Sequence, residues 1–146
     1  MIQLQRNFQN RALTEDELLK SEIVTYAEYL ALSVIPAHEG TKARVVDALR
    51  DRVGRSHLSV GEIAEDLGLS KRTLQRRLKK EDANFAQLRD SLRFHYAIKY
   101  IVQDGMNVDS VSKALDFSDR TSFNTAFKRW TALSPSVFRR LYRDYA

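Results

Sequence analysis

The chain has 146 residues, 43% of them hydrophobic and 29% charged, with no cysteine and a net charge of +5 at pH 7. That length suits one domain or two small subdomains around a modest core, and the lack of cysteine excludes a disulfide framework and a thiolate metal site. Residues 1–57 carry 8 Lys or Arg against 8 Asp or Glu, whereas residues 58–146 carry 16 against 11, so the excess lies wholly in the C-terminal part and points to an anionic partner there.

Only two prolines and five glycines occur, and apolar residues recur at spacings of three and four rather than two, which predicts an all-α fold. The N-terminus lacks the basic-then-apolar pattern of a secretory signal. Its most apolar stretch, Leu18 to Ile35, is interrupted by Lys20, Glu22 and Glu28, so no membrane contact is expected and the cytoplasm is the default location. The first predicted helix runs from about Thr14 to Ile35, with Thr14 and Glu17 spaced as a capping box and Pro36 and Gly40 closing it. Leu19, Ile23, Tyr26, Leu30 and Val34 make a near-heptad stripe, widened by Leu18, Ala27, Ala31 and Ile35. Such a face must be covered, by the chain's own domain, by a second copy pairing through residues 14–35, or by a further domain.

The second predicted helix covers Thr41 to Val53 and stops at Gly54. The third starts at Ser59, with Glu62 completing a capping box, and ends near Leu67 before Gly68. Ser70 caps the fourth, KRTLQRRLKK, which holds six Lys or Arg before any acid appears. A long fifth helix spans Asn84 to Asp104 and stops at Gly105, its apolar stripe being Phe85, Leu88, Leu92, Tyr96 and Lys99-Tyr100. Asn107 caps the sixth, Val108 to Leu115, and Ser118 the seventh, Asp119 to Thr131; a short last helix follows Ser134-Pro135.

SVGEIAEDLGLSKRT from Ser59 and NVDSVSKALDFSDRT from Asn107 align without gaps at a spacing of 48. Val60 matches Val108, Ile63 matches Val111 and Leu67 matches Leu115; past one extra residue, Leu74 and Leu78 pair with Phe123 and Phe127. Each copy is a short helix, a tight turn and a longer helix, a helix-turn-helix occurring twice.

On the fourth helix Leu74 and Leu78 face the core, which leaves Arg72, Gln75 and Arg76 together on another face. Arg reads guanine O6 and N7, and Gln pairs bidentately with adenine, so this face suits a major groove. Ser70, Lys71, Arg77, Lys79 and Lys80 flank it as phosphate contacts. A solvated basic face would explain the charges but not the doubled motif. In the second copy Thr121, Asn124 and Thr125, with Arg120 beside them, take the corresponding face, and Lys128 and Arg129 are its phosphate contacts. A central helix of about 21 residues is about 31 Å long, close to the roughly 34–36 Å between successive major-groove faces.

An enzyme finds no support. His38, His57 and His95 lie at no ligand spacing, and no Gly-rich phosphate loop follows a strand, so neither catalysis, metal nor cofactor is expected. The competing class is a helical adaptor whose basic surface meets an acidic protein, which would lack steep salt-dependent affinity for duplex DNA.

Residues 59–140 resemble the double helix-turn-helix DNA-binding domain of AraC/XylS-type transcription regulators, through LGLSKRTLQRRLKKE, DFSDRTSFNTAFKRWTALSP and the closing Pro135-Ser136-Val137-Phe138-Arg139. The resemblance implies two helix-turn-helix subdomains joined by the long central helix, both recognition helices entering successive major grooves of double-stranded DNA. It further implies activation more often than repression, with RNA polymerase as partner. On this basis residues 39–146 form the DNA-binding domain and residues 1–38 an N-terminal helical segment, too short for the effector-binding domain that many members carry. Three positions depart from the family pattern: Asp116 and Ala132 stand where glycine is usual, and Ser112 where alanine is. Asp tolerates a left-handed turn less well than Gly, so Asp116→Gly is expected to stabilise by about 1 kcal/mol, and a serine hydroxyl at a close helix crossing must find a partner.

Overall fold

A computed structural model of the chain describes residues 31, 33–35 and 38–142. The predicted Thr14 to Ile35 helix, with most of its stripe, lies outside the described residues. Every regular element among those described is helical, as the three-and-four spacing requires, and the chain divides into two compact units.

The first unit holds Ile35–Arg93 together with Ala114–Asp116. Helix α1 (Gly40–Arg52) buries Val45, Val46 and Leu49, α2 (Val60–Asp66) buries Ile63 and Ala64, and α3 (Lys71–Lys80) buries Leu74 and Leu78. These three helices contact one another, and Phe85, Leu88 and Leu92 of α4 (Phe85–Ile98) complete the core. Side chains brace the packing. The Arg52 guanidinium grips Asp66 at 2.6 and 2.9 Å and Glu62 at 2.7 Å, tying α1 to α2. Ser59 accepts from the Glu62 N–H at 3.3 Å as predicted, but the Glu62 carboxylate turns to Arg52, so the capping box is half formed.

The second unit holds Phe94–Lys113, the described residues from Phe117 to Tyr142 and those before Ile35. Its helices are α5 (Val108–Ala114), α6 (Arg120–Thr131) and α7 (Pro135–Tyr142). Aromatic rings fill the centre: Trp130 lies 5.5 Å from Phe94, and Phe127 meets Phe138 edge-on at 5.3 Å. Such contacts add to the burial of large apolar area.

Two expectations for the central helix are corrected. The α-helix ends at Ile98, and Lys99–Gln103 form a π-helical turn in which the Asp104 N–H reaches the Lys99 carbonyl at 3.1 Å. Arg139 supports the wider turn by donating from Nε to the Ile101 carbonyl at 3.0 Å, a cation at a helix C-terminal end. The predicted apolar stripe holds only through Leu92. Beyond it Phe94, Ala97, Ile98, Ile101 and Val102 are buried, whereas Tyr96 and Tyr100 are half-buried and Lys99 is exposed; in this part of the chain Phe94 meets Trp130 and the π-helical turn contacts α7.

Candidate nucleic-acid interface

The first motif is built from α2, a turn and α3. Gly68 adopts φ +68°, the left-handed conformation that lets the chain reverse within the turn, and the Leu69 N–H closes it on the Ala64 carbonyl at 2.9 Å. Ser70 then caps α3: its Oγ accepts from the Thr73 N–H at 3.1 Å and donates to Thr73 Oγ1 at 2.9 Å. The Ser70 proton is therefore committed inside the protein.

With Leu74 and Leu78 fully buried, Arg72, Gln75 and Arg76 are exposed on α3, as are Lys71, Arg77, Lys79 and Lys80. None of the six cations of α3 forms an ion pair or hydrogen bond with another described residue. The nearest acid in sequence is diverted. Glu81, which ends α3, accepts from the Thr41 and Lys42 N–H groups at 3.1 and 3.3 Å and so caps α1, whose own N-cap residue Glu39 makes no side-chain cap. Partial burial pushes its carboxyl up, but those N–H donors outweigh it and hold it below the usual range.

In the second motif Asn107 caps α5, accepting from the Ser110 N–H at 2.8 Å. The cap of α6 is corrected from Ser118 to Asp119, which accepts from the Ser122 N–H at 2.7 Å, a carboxylate being the stronger acceptor at the positive helix end. Phe123 and Phe127 are fully buried, and Arg120, Thr121, Thr125, Lys128 and Arg129 are exposed. Arg120 lies 3.7 Å from Asp109, and Thr125 donates its hydroxyl to the Thr121 carbonyl at 3.0 Å. Asn124 differs from its neighbours. It is half-buried and its Oδ1 is sealed from solvent without a hydrogen-bond partner, so the bidentate adenine contact, which needs both amide atoms, is not presented.

Of the three departures, Asp116 and Ser112 find partners for their side chains and Ala132 does not. Asp116 adopts φ +58° and Ala132 φ +66°, and the buried Ser112 donates to the Asp119 carbonyl at 3.1 Å. The Asp116 carboxylate accepts from the Leu58 N–H at 2.8 Å and pairs with His57 Nδ1 at 2.9 Å. Arg93, only 7% exposed, closes the same turn by donating to the carbonyls of Leu115 and Asp116 at 2.7 and 2.6 Å. Burial and the charge of Arg89 pull its pKa down to about 10, which leaves it a cation at neutral pH. Arg93 and Glu81 escaped the sequence reading; an arginine inside an apolar helix stretch was the one available signal.

Among the described residues no group of three or more His, Asp or Glu converges on a metal position, and no helix is long and apolar enough to cross a membrane. A family model described as a helix-turn-helix domain matches residues 63–141. The HTH-type transcriptional regulator VqsM of Pseudomonas aeruginosa is 28% identical over 131 residues, covering 89% of this chain and 40% of that protein. VirS of Mycobacterium tuberculosis, also an HTH-type transcriptional regulator, is 29% identical over 112 residues, covering 77% of this chain and 33% of VirS. The chain thus spans less than half the length of these relatives. The crystal structure of the transcriptional regulator CdpR of P. aeruginosa superposes with a TM-score of 0.62 at 25% identity, over 82% of this chain and 41% of that one.

Proposed function

This chain belongs to the AraC-type helix-turn-helix family of transcription regulators, and from that premise we propose that it binds specific double-stranded DNA and activates transcription, with RNA polymerase as its partner. The first recognition helix is α3, which reads bases through Arg72, Gln75 and Arg76 and anchors on phosphates through Lys71, Arg77, Lys79 and Lys80. The second is α6, which reads through Arg120, Thr121 and Thr125 and anchors through Lys128 and Arg129; Asn124 joins it by turning its amide outward. The two helices occupy successive major grooves, which separates the two sequence blocks by about 10 base pairs.

The observation that carries this reading is the state of α3. None of the six cations on this ten-residue helix pairs with another described residue. Mutual repulsion among them disfavours the free protein, and a polyanion relieves it by releasing its counterions. Selection from random duplex DNA tests the proposal: a two-block sequence should be enriched, and transcription should rise when that sequence lies upstream of a promoter. Failure to enrich any sequence, with binding to an acidic protein instead, would establish the adaptor.

A further inference from the structure

Gly61 is the second residue of α2, and nothing in its backbone requires glycine, since its φ lies outside the left-handed region. Glycine is the poorest helix former after proline, so its presence inside a seven-residue helix calls for a reason. The three atoms nearest to the position a Cβ would take all belong to one side chain: Lys71 Cε at 2.8 Å, Nζ at 3.5 Å and Cδ at 4.0 Å. The lysine stem lies in the notch that the missing methyl leaves. Lys71 is itself the first residue of α3, where a cation faces the positive end of the helix dipole, and its ammonium pairs with no described residue. Neither helix stability nor an ion pair accounts for holding it there.

We propose that Gly61 is a positioning residue, whose notch holds the Lys71 ammonium where it meets a backbone phosphate of bound DNA. A free lysine side chain loses much rotamer freedom when it is fixed on a ligand. A stem already seated on α2 loses less, so the contact forms with a smaller entropic penalty. The inference rests on the reading of α3 as a DNA-binding helix and adds a residue that carries no charge and touches no DNA.

The test compares the full chain with Gly61→Ala, Lys71→Ala and the double variant, measuring Tm and the salt dependence of affinity for the selected and a random duplex. Lys71→Ala should weaken both duplexes alike and reduce the salt slope by about one. Gly61→Ala should raise Tm, because alanine favours the helix and the flexible lysine end moves aside, yet weaken both duplexes with a smaller salt slope. The double variant should bind no more weakly than Lys71→Ala. If Gly61→Ala binds like the unmodified chain while Lys71→Ala weakens, positioning is overturned and the phosphate contact stands. A lower Tm for Gly61→Ala would show that the glycine serves packing and would equally overturn it. An unchanged salt slope in Lys71→Ala removes the phosphate contact itself, and absence of duplex binding by the unmodified chain removes the DNA reading on which all of this rests.

Discussion

Asp116 and Ala132 both hold left-handed backbone where glycine would be free of strain, a conformation that costs other residues about 1–2 kcal/mol, yet their side chains set opposite expectations. Ala132 is exposed and its methyl makes no compensating bond, so Ala132→Gly should stabilise by about 1 kcal/mol in chemical denaturation. Asp116→Gly would relieve similar strain but strand the N–H of Leu58, a fully buried residue, at about 1–3 kcal/mol. It should therefore lower Tm, against the expectation drawn from family pattern alone. The His57–Asp116 pair adds a pH dependence. The hydrogen bond to Asp116 raises His57 above its ordinary 6.5, so that contribution is complete below 6.5 and is lost as pH rises through the raised value. Burial pushes Asp116 up from 3.8, but the Leu58 N–H and His57 hold it lower, so its contribution is complete above 3.8 and is lost as pH falls through the lowered value. The Tm difference between the unmodified chain and Asp116→Asn should be widest between these limits; a difference independent of pH would show that the pair is unformed in solution. On the DNA side, Arg76→Ala should lose about 1–3 kcal/mol on the selected duplex and relax preference at one or two base pairs, whereas Lys80→Ala should weaken all duplexes alike. Equal losses on selected and random DNA would remove Arg76 from the base-reading set.

Helix positions were largely legible where short-range chemistry decides them: Ser59, Ser70 and Asn107 cap as their spacing predicts, and the exposed face of α3 follows from Leu74 and Leu78 four residues apart. The exception is the cap of α6, where two adjacent capping residues compete and Asp119 prevails over Ser118; the rest of what escaped depends on partners distant in sequence. The end of the central helix is shaped by Arg139, 38 residues beyond Ile101, and the Asp116 turn by His57, 59 residues before it; no local pattern encodes either meeting. Glu81 is the clearest case, for it reads as the acidic end of a basic helix and acts as the cap of α1, 40 residues earlier. Its removal leaves the first turn of α1 without that acceptor. Glu81→Ala should lower Tm, and Glu81→Gln, which keeps an acceptor oxygen but loses the charge favoured at a helix N-terminus, should restore part of the loss. Equal Tm values for Glu81→Ala and the unmodified chain would mean that water caps α1 equally well.

For the molecule as a whole, the excess of positive charge beyond residue 57 accords with a DNA-binding part and leaves a slightly acidic N-terminal segment, with 3 Lys or Arg against 5 Asp or Glu in residues 1–38, whose role is set by its apolar stripe. The described end of that segment divides in behaviour. Ser33 is 4% exposed and its carbonyl meets His95 Nδ1 at 3.1 Å, whereas Val34, the last member of the predicted stripe, is 59% exposed. The segment is thus fastened to its own chain at Ser33, and the end of its stripe is divided, Val34 standing in solvent while Ile35, which widens the stripe, is buried. Burying each large side chain contributes about 1.5–3 kcal/mol, so the five-residue stripe has reason to find a cover, and the 19-23-26-30 spacing is that of a helix-pairing seam. We expect a dimer at micromolar concentration in sedimentation. Ile23→Asp and Leu30→Asp should convert it to a monomer while residues 41–146 keep their helical signal, because the seam lies outside that part. A single monomeric species for the unmodified chain, with Tm lowered by the same substitutions at every protein concentration, would instead assign the stripe to the chain's own domain.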